Sequence, residues 1–342
     1  MRVLTVNAGS SSLKVDLVID GELTQSYAGF PTPLPPVDAV GHRIVHGGTS
    51  FVEPVVIDEN VERQLQELVL LAPLHQPKSL SALATAQRAL PQVTHVACFD
   101  TAFHATLPPA AYTYPLPRDW RTKWGVRRYG FHGLSHAWAS RRVSQLARSA
   151  RRVVVCHLGA GASLAAVLDG RSIDTTMGFT PLDGLVMATR SGSVDPGLLL
   201  CLEAQEGLSP HELATTLEHE SGLLALAGTS DMREVLERHD DAATLALDVY
   251  LHRLVAGIAA MTASLGGIDA LVFTGGVGEH AAELRRLTCE RLGYLGVGIA
   301  EHTNAEAVGD TDVTAAASSV SVLVVVAREA LEIALAVEKV LA

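Results

Sequence analysis

Apolar positions along this chain fall into short runs broken by small polar loops. Val3 to Val6 is apolar or β-branched between Arg2 and Asn7, which predicts a buried strand over 2–7. After Asn7-Ala8-Gly9-Ser10-Ser11-Ser12 the pattern alternates, predicting strands over 13–19 and 22–28 joined by the Asp20-Gly21 turn. Pro31 to Pro36 reads as a loop, and Gly41 to His46 as another strand. Helical spacing occupies 59–70 and 78–89, a strand follows at 93–98, and a helix at 135–149.

The opening pattern then returns. Val153 to Ser163 again reads strand, Gly-rich loop and strand, and the second strand again closes on an Asp-Gly pair, Asp169-Gly170. A third variant, Leu271 to Glu279, follows a long helical stretch at 241–265 and leads into a helix at 281–292. A strand at 320–326 and an amphipathic helix at 328–341 finish the chain. The two copies predict a duplicated α/β architecture, each half offering a phosphate-binding hairpin to a shared cleft. The halves divide as 1–150 plus 330–342 against 151–329.

The first loop has the makings of an anion cradle. Small residues let backbone N–H groups approach a phosphate, hydroxyls add donors, and Lys14 brings a mobile charge. It lacks the G-x-x-x-x-G-K-[ST] pattern, and an ordinary Gly/Ser turn remains the alternative. Arginine and histidine cluster in Gly41–Gly48, Arg127–His136 and Thr189–Gly192, where fixed positive charge suits phosphoryl transfer. For any one arginine a surface ion pair is the plainer reading, less so for Arg43, which sits inside a strand flanked by apolar residues. His132 and His136 have the spacing of a zinc pair, but Gly133 between them argues against one helix carrying both. Asp100 and Glu329 each follow an apolar strand, and with Asn7 they could hold Mg²⁺, which prefers oxygen ligands. For Glu329 the alternative is a solvated first-turn residue favoured by the helix dipole.

Composition narrows the partners. A net charge of −11 excludes nucleic acid and anionic membranes as expected partners. The four cysteines are scattered without a C-x-x-C pair, as in a reducing, cytoplasmic setting. No unbroken apolar run of about 18 residues predicts a membrane span.

Several segments, in order along the whole chain, resemble the acetate kinase family: Asn7–Lys14, His42–Gly48, Ala72–His75, Phe99–His104, Arg128–His136, His157–Ser163, Thr175–Arg190 and Asp269–Glu279. Met177-Gly178-Phe179-Thr180-Pro181-Leu182-Asp183-Gly184 is the most specific of them. The resemblance implies a two-domain actin-like, ribonuclease-H-like ATPase fold around a central nucleotide cleft, and the reaction ATP + acetate ⇌ ADP + acetyl phosphate. It implies that Asn7 and Glu329 serve Mg²⁺, Lys14 the nucleotide phosphates, and Arg43 the substrate carboxylate or phosphoryl group. His132 and Arg190 would stabilise the transferring phosphoryl group, with Asp100 as the catalytic carboxylate. Nucleotide contacts would come from His157, Leu158, Gly159, Ala160 and Gly161, from Asp231, Met232 and Arg233, and from Gly276, Val277, Gly278, Glu279 and His280. Val45, Leu74, Phe131 and Pro181 would line the acyl pocket, and a homodimer is implied by analogy alone.

Chemistry sharpens the expectation for Asp100. A simple carboxylic acid has a pKa of about 4, so acetate is already ionised at neutral pH and needs no base. Asp100 is therefore expected to orient rather than to accept a proton. The chain also departs from the family pattern. It is shorter between Lys14 and Arg43, Ala160 and His280 stand for asparagines, and Val326-Ala327-Arg328 precedes the metal-side glutamate. These departures predict weakened nucleotide affinity. The rival readings are a propionate kinase, a sugar kinase with Asp100 as a true base, and a nucleotide-binding protein without catalysis.

Overall fold

The computed structural model describes residues 1–9, 13–72 and 75–342. Ser10–Ser12 of the first loop lie outside the described residues. The chain forms two compact units. One contains Met1–Thr106, Tyr114–Trp138 and Arg328–Ala342, and the other Leu107–Thr113 and Ala139–Ala327.

The first unit is built on strands β1 (Arg2–Ala8), β2 (Leu13–Ile19), β3 (Glu22–Tyr27), β4 (Ala39–Ile44), β5 (Val55–Val56) and β6 (Thr94–Phe99). The second has β7 (Arg152–Leu158), β8 (Ala162–Leu168), β9 (Arg171–Thr175), β10 (Ala270–Thr274), β11 (Thr311–Asp312) and β12 (Ser321–Val324). The sheet orders are β3-β2-β1-β4-β6-β5 and β9-β8-β7-β10-β12-β11. Each is an antiparallel three-stranded meander, two added parallel strands and a short antiparallel edge. This is the duplicated α/β fold that the sequence repeat predicts.

The duplication reaches individual dihedrals and ion pairs. Asp20 and Asp169 both have φ of 49°, and Gly21 and Gly170 have φ of 81° and 78°. Two successive positive φ values make the type I′ turn that matches the twist of a hairpin. A register shift falls between Leu17 and Val18 in one meander and between Ala166 and Val167 in the other. Arg2 pairs with Asp38 at 2.6 Å, and Arg152 with Asp269 at 2.5 Å. In each case the arginine opens the first strand and the aspartate precedes the fourth. The guanidinium hydrogen bond holds both Asp38 and Asp269 down at about 2.

The units differ in one crossover. In the second unit, β9 to β10 takes residues 176–269 and includes the helix Asp241–Leu265. That helix has no unbroken apolar run, being interrupted by Asp248, His252 and Arg253, although part of it is apolar enough on average to cross a membrane by length and composition. It buries Ala246, Leu254, Ile258 and Met261 and packs against β7, β8 and β9. In the first unit, residues 28–38 alone join β3 to β4. There Phe30, Leu34 and Val37 pack on Leu4, Val6, Val15 and Val40, beside Ala82 and Ala86 of the helix Gln76–Ala89. The opposite face of β4 meets the C-terminal helix Glu329–Leu341, where a Cβ on Gly41 would fall within 2.8 Å of Val337 Cγ2 and closer still to Ile333.

One local expectation needs correction. Gly275–His280 reads as a loop from its glycines, but it is a short helix starting directly after β10. Glycine lowers helix propensity, yet Gly275 has φ of 79° and turns the chain into the helix, a conformation that L side chains resist.

Candidate active site

Four predicted residues of the first unit join into one chain of contacts. Asn7 stands one residue before the end of β1, Arg43 stands in β4, Asp100 follows β6, and Glu329 begins the C-terminal helix. Parallel pairing of β1 with β4 and β4 with β6 aligns three of these strand ends, so side chains distant in sequence meet. Arg43 Nε donates to Asp100 Oδ1 at 3.1 Å and Oδ2 at 2.9 Å, and Nη2 donates to Oδ2 at 2.5 Å. Arg43 Nη1 donates to Asn7 Oδ1 at 3.2 Å, and Asn7 Nδ2 donates to Glu329 Oε2 at 2.6 Å.

The network is largely out of water. The Asp100 side chain is 1% exposed and that of Arg43 13%. Burial opposes the charge on Arg43, but Asp100 and Glu329 outweigh it and hold the guanidinium above its ordinary pKa. Burial pushes the Asp100 carboxyl up, Arg43 pulls it down, and Glu329 adds to the rise. Both oxygens of Asp100 are engaged by Arg43, which makes Asp100 a group that fixes a cation.

The Arg128–His136 segment is anchored to the same carboxylate residue. Gly133 N–H donates to Asp100 O at 2.9 Å, and His104 Nε2 lies 3.0 Å from Phe131 O. Phe131 is buried against His46, and His132 adopts φ of 56°, uncommon for a non-glycine residue. His132 and His136 sit on either side of a helix start, with His136 N–H donating to His132 O at 2.9 Å. Val45 is buried just beyond β4. Lys14 lies directly opposite Asn7 in the β1–β2 register and is exposed. Leu74 lies outside the described residues.

In the second unit the predicted nucleotide turns come together. His157 and Leu158 end β7, and His157 pairs with Thr274 at the end of β10. The turn Gly159-Ala160-Gly161 is closed by Gly159 N–H donating to Gly161 O at 2.9 Å. A Cβ on Gly159 would lie 4.0 Å from Gly276 N, so the two Gly-rich turns stand side by side. A Cβ on Gly276 itself would meet nothing within 4 Å. Open space beside backbone N–H groups at a helix start is what a phosphate requires. Val277, Gly278, Glu279 and the exposed His280 continue this helix.

Ala188 N–H donates to Ala160 O at 3.1 Å, which ties the segment carrying Arg190 to the same turn. Pro181 is buried, and its carbonyl lies 3.5 Å from Arg190 Nη1. Arg190 Nε pairs with Glu218 Oε2 at 2.8 Å, with side chains 13% and 7% exposed. Asp231, Met232 and Arg233 open another helix of this unit. Asp231 caps the helix Met232–Glu237 and pairs with Arg233 at 2.6 Å, while Met232 is buried in the core. The hydrogen bonds of Asp231 and Arg233 stay local and do not reach the Gly-rich turns.

The sequence pattern missed Glu218 and Arg285. Glu218 lies in the last turn of the helix Pro210–His219, with no motif around it. Arg285 was legible in principle, since it falls in phase with Ala281, Leu284, Thr288 and Cys289 on the buried side of its helix.

Among the described residues, no group of three or more His, Cys, Asp or Glu side chains could hold a metal ion. Asn7 and Glu329 offer hard oxygen donors, the Glu329 carboxylate meeting Asn7 Nδ2 while its charge helps hold that of Arg43. Such a site fits Mg²⁺, which keeps several waters and takes one or two carboxylates plus substrate phosphates.

The sequence matches the Acetokinase family over residues 28–335. It is 50% identical over 306 residues to the acetate kinase of Leifsonia xyli subsp. xyli, covering 87% of this chain and 77% of that protein. The acetate kinase of Porphyromonas gingivalis superposes with a TM-score of 0.89 at 34% identity, covering 100% of both chains. A propionate kinase from Francisella tularensis does so with a TM-score of 0.90 at 34% identity, covering 98% of each. With the buried Asp100–Arg43–Asn7–Glu329 network and the paired Gly-rich turns in place, this extended match means that the chain belongs to the acetokinase family.

Proposed function

We propose that this protein transfers the γ-phosphoryl group of ATP to acetate, giving acetyl phosphate and ADP, and that the reaction runs in both directions. The observation that carries this reading is the buried pairing of Arg43 with Asp100 beside Asn7 and Glu329. A carboxylate oxygen of acetate attacks the γ-phosphorus, the bond from that phosphorus to the ADP oxygen breaks, and no proton moves. Catalysis of such a step is positioning and electrostatics. Arg43, held rigid by Asp100, presents fixed positive charge to the acceptor carboxylate. His132 and Arg190 stabilise the transferring phosphoryl group, and Lys14 meets the nucleotide phosphates. The Gly159–Gly161 turn with Gly276, Val277, Gly278 and His280 holds the rest of the nucleotide, and the exposed Arg233 of the Asp231–Arg233 segment adds a contact.

Mg²⁺ would be held by Glu329 and Asn7, and would neutralise charge on the phosphates. Val45, Leu74, Phe131 and Pro181 line the acyl pocket in this reading. One methylene there is worth about 1–3 kcal/mol, so acetate is preferred over propionate by roughly 10- to 200-fold rather than exclusively. The functional halves, 1–150 plus 330–342 and 151–329, a homodimeric state and a cytoplasmic setting belong to the same proposal.

The test is direct. The protein is incubated with ATP, Mg²⁺ and acetate, propionate or butyrate, and acyl phosphate is trapped as hydroxamate. Acetate should give the highest kcat/KM, and Arg190→Ala should abolish the product. No hydroxamate from any acid would sink the reading.

A further inference from the structure

Strand β12 follows β10 as far as Val325, whose N–H donates to Phe273 O at 2.9 Å. The next two backbone N–H groups leave the sheet, and each is taken by a carboxylate. Val326 N–H donates to Asp310 Oδ1 at 2.9 Å, and Ala327 N–H to Glu279 Oε1 at 2.9 Å. Asp310 is itself held by Arg142 Nε at 2.8 Å. Ala327 ends the second unit along the chain, and Arg328 and Glu329, which follow it directly, belong to the first.

Glu279 is fixed from behind as well. It lies in the Gly275–His280 helix, whose final carbonyls are gripped by Arg285. Arg285 is 1% exposed, and its Nη1 donates to Gly278 O at 2.9 Å and to Glu279 O at 2.8 Å. Its Nε and Nη2 donate to Asn304 Oδ1 at 2.7 Å and Asn304 O at 2.9 Å. The buried cation thus sits at the carbonyl end of the short helix, the negative end of its dipole. Backbone and side chain of Glu279 are both committed to protein partners.

We propose that Glu279 is a positioning residue: its carboxylate straps the Gly275–His280 turn to Ala327, so that nucleotide bound at the turn orders the start of the helix carrying Glu329. Glu279 is then not a nucleotide ligand, although the family resemblance implies one. The proposal rests on the reading above only for the nature of the ligand at Gly276. It couples nucleotide occupancy to the metal-side carboxylate through two residues of backbone.

Amide hydrogen exchange of the peptide 325–331, with and without ADP and Mg²⁺, tests the strap in the parent, Glu279→Ala and Glu279→Gln. Nucleotide binding is titrated separately by calorimetry. A charge-assisted hydrogen bond is strong enough for ADP to slow exchange there by about tenfold in the parent. Glu279→Gln keeps an acceptor oxygen and should keep the protection. Glu279→Ala should bind ADP within about threefold of the parent yet gain no protection, because the coupling is cut while the turn remains. Equal protection in Glu279→Ala would overturn the strap. Loss of protection in Glu279→Gln would make the charge, not the tether, what matters. Loss of ADP binding in Glu279→Ala would return Glu279 to the nucleotide site. If the parent binds no ADP, the proposed function fails, and the strap is read without ligand. Glu279→Ala must then exchange about tenfold faster than the parent at this segment, and equal rates would refute it.

Discussion

Removing the carboxylate of Asp100 separates an orienting role from a basic one. Asp100→Ala deletes three Arg43 contacts, at 3.1, 2.9 and 2.5 Å, and leaves the guanidinium with Asn7 Oδ1 at 3.2 Å. Breaking a buried pair by removing one partner costs about 3–5 kcal/mol, because the remaining charge stays desolvated. The partial exposure of Arg43 puts the expected loss near the lower end, about 3 kcal/mol, a large share of the 5–15 kcal/mol that holds a typical domain folded. Asp100→Asn should lose nearly as much, since an amide turns N–H groups toward a cation. Replacing both partners, Arg43→Met with Asp100→Leu, should recover most of the stability, because an apolar pair of similar volume leaves no stranded charge. None of that recovery should return activity.

The kinetic consequence follows from geometry. With Asp100 gone, Arg43 is free to shift, and a displacement of about 1 Å at a positioning group costs around 100-fold in rate. Urea midpoints report the stability of each variant, and hydroxamate trapping its turnover. A pH profile alone does not separate the roles, because a base and an orienting counter-ion both need the ionised carboxylate and both lose activity in acid. The solvent deuterium isotope effect on kcat decides: a base moves a proton in the reaction and gives a normal effect, whereas orientation of an already ionised acetate gives none. A normal isotope effect in the parent that Asp100→Asn removes, or a double variant no more stable than Asp100→Ala, would refute the reasoning.

Gly276→Ala should leave the melting temperature unchanged or raised, since the new methyl meets nothing within 4 Å and alanine favours helix by up to about 1 kcal/mol. The KM for ATP should rise at least about tenfold if a phosphate approaches that backbone, and an unchanged KM would remove Gly276 from the nucleotide site. Gly41→Ala should destabilise by about 1–3 kcal/mol in thermal melts, because its Cβ overlaps Ile333 and Val337, and Ile333→Ala should rescue it. His42 is pushed down to about 3 by burial and then by the charge of His95, and His46 to about 4 by burial. Their folded pKa values lie below the unfolded value of about 6.5, so the unfolded chain binds extra protons and stability falls as pH drops from 6.5 toward 3. His42→Leu should flatten that slope in urea midpoints measured between pH 4 and 6.5.

The fold was legible wherever a local pattern recurs. Val3–Val6 and Val153–Cys156 name two buried strands, and Asp20-Gly21 and Asp169-Gly170 name two turns whose dihedrals agree closely. The helix at Gly275–His280 was not legible, because its glycines argue for a loop and the packing of β10 on β7 overrides them. At the site, residues at strand ends could be read as a set, since parallel pairing brings Asn7, Arg43 and Asp100 level. Partners that arrive from elsewhere could not. Glu218 reaches Arg190 from a helix end, and Ala327 offers Glu279 a backbone N–H that no side-chain pattern records. Asp231–Arg233 is legible only by family position, since its own hydrogen bonds describe nothing more than a capped helix start.

The second unit also explains why a short crossover in the first leaves the chemistry intact. Strand side chains alternate between faces. Leu4, Val6 and Val40 face the helix Gln76–Ala89 and the 28–38 loop, whereas Gly41 faces the C-terminal helix that carries Glu329. The counterpart of the 28–38 loop in the second unit is a long crossover whose helix Asp241–Leu265 seals the meander. In the first unit Phe30, Leu34 and Val37 seal the equivalent apolar surface. The crossover therefore bears on one face of the sheet, while Asn7 and Arg43 meet Glu329 at the strand ends from the other. Shortening it changes what covers the core without moving a charged group, so its cost falls on the stability of the first unit rather than on the alignment of Arg43.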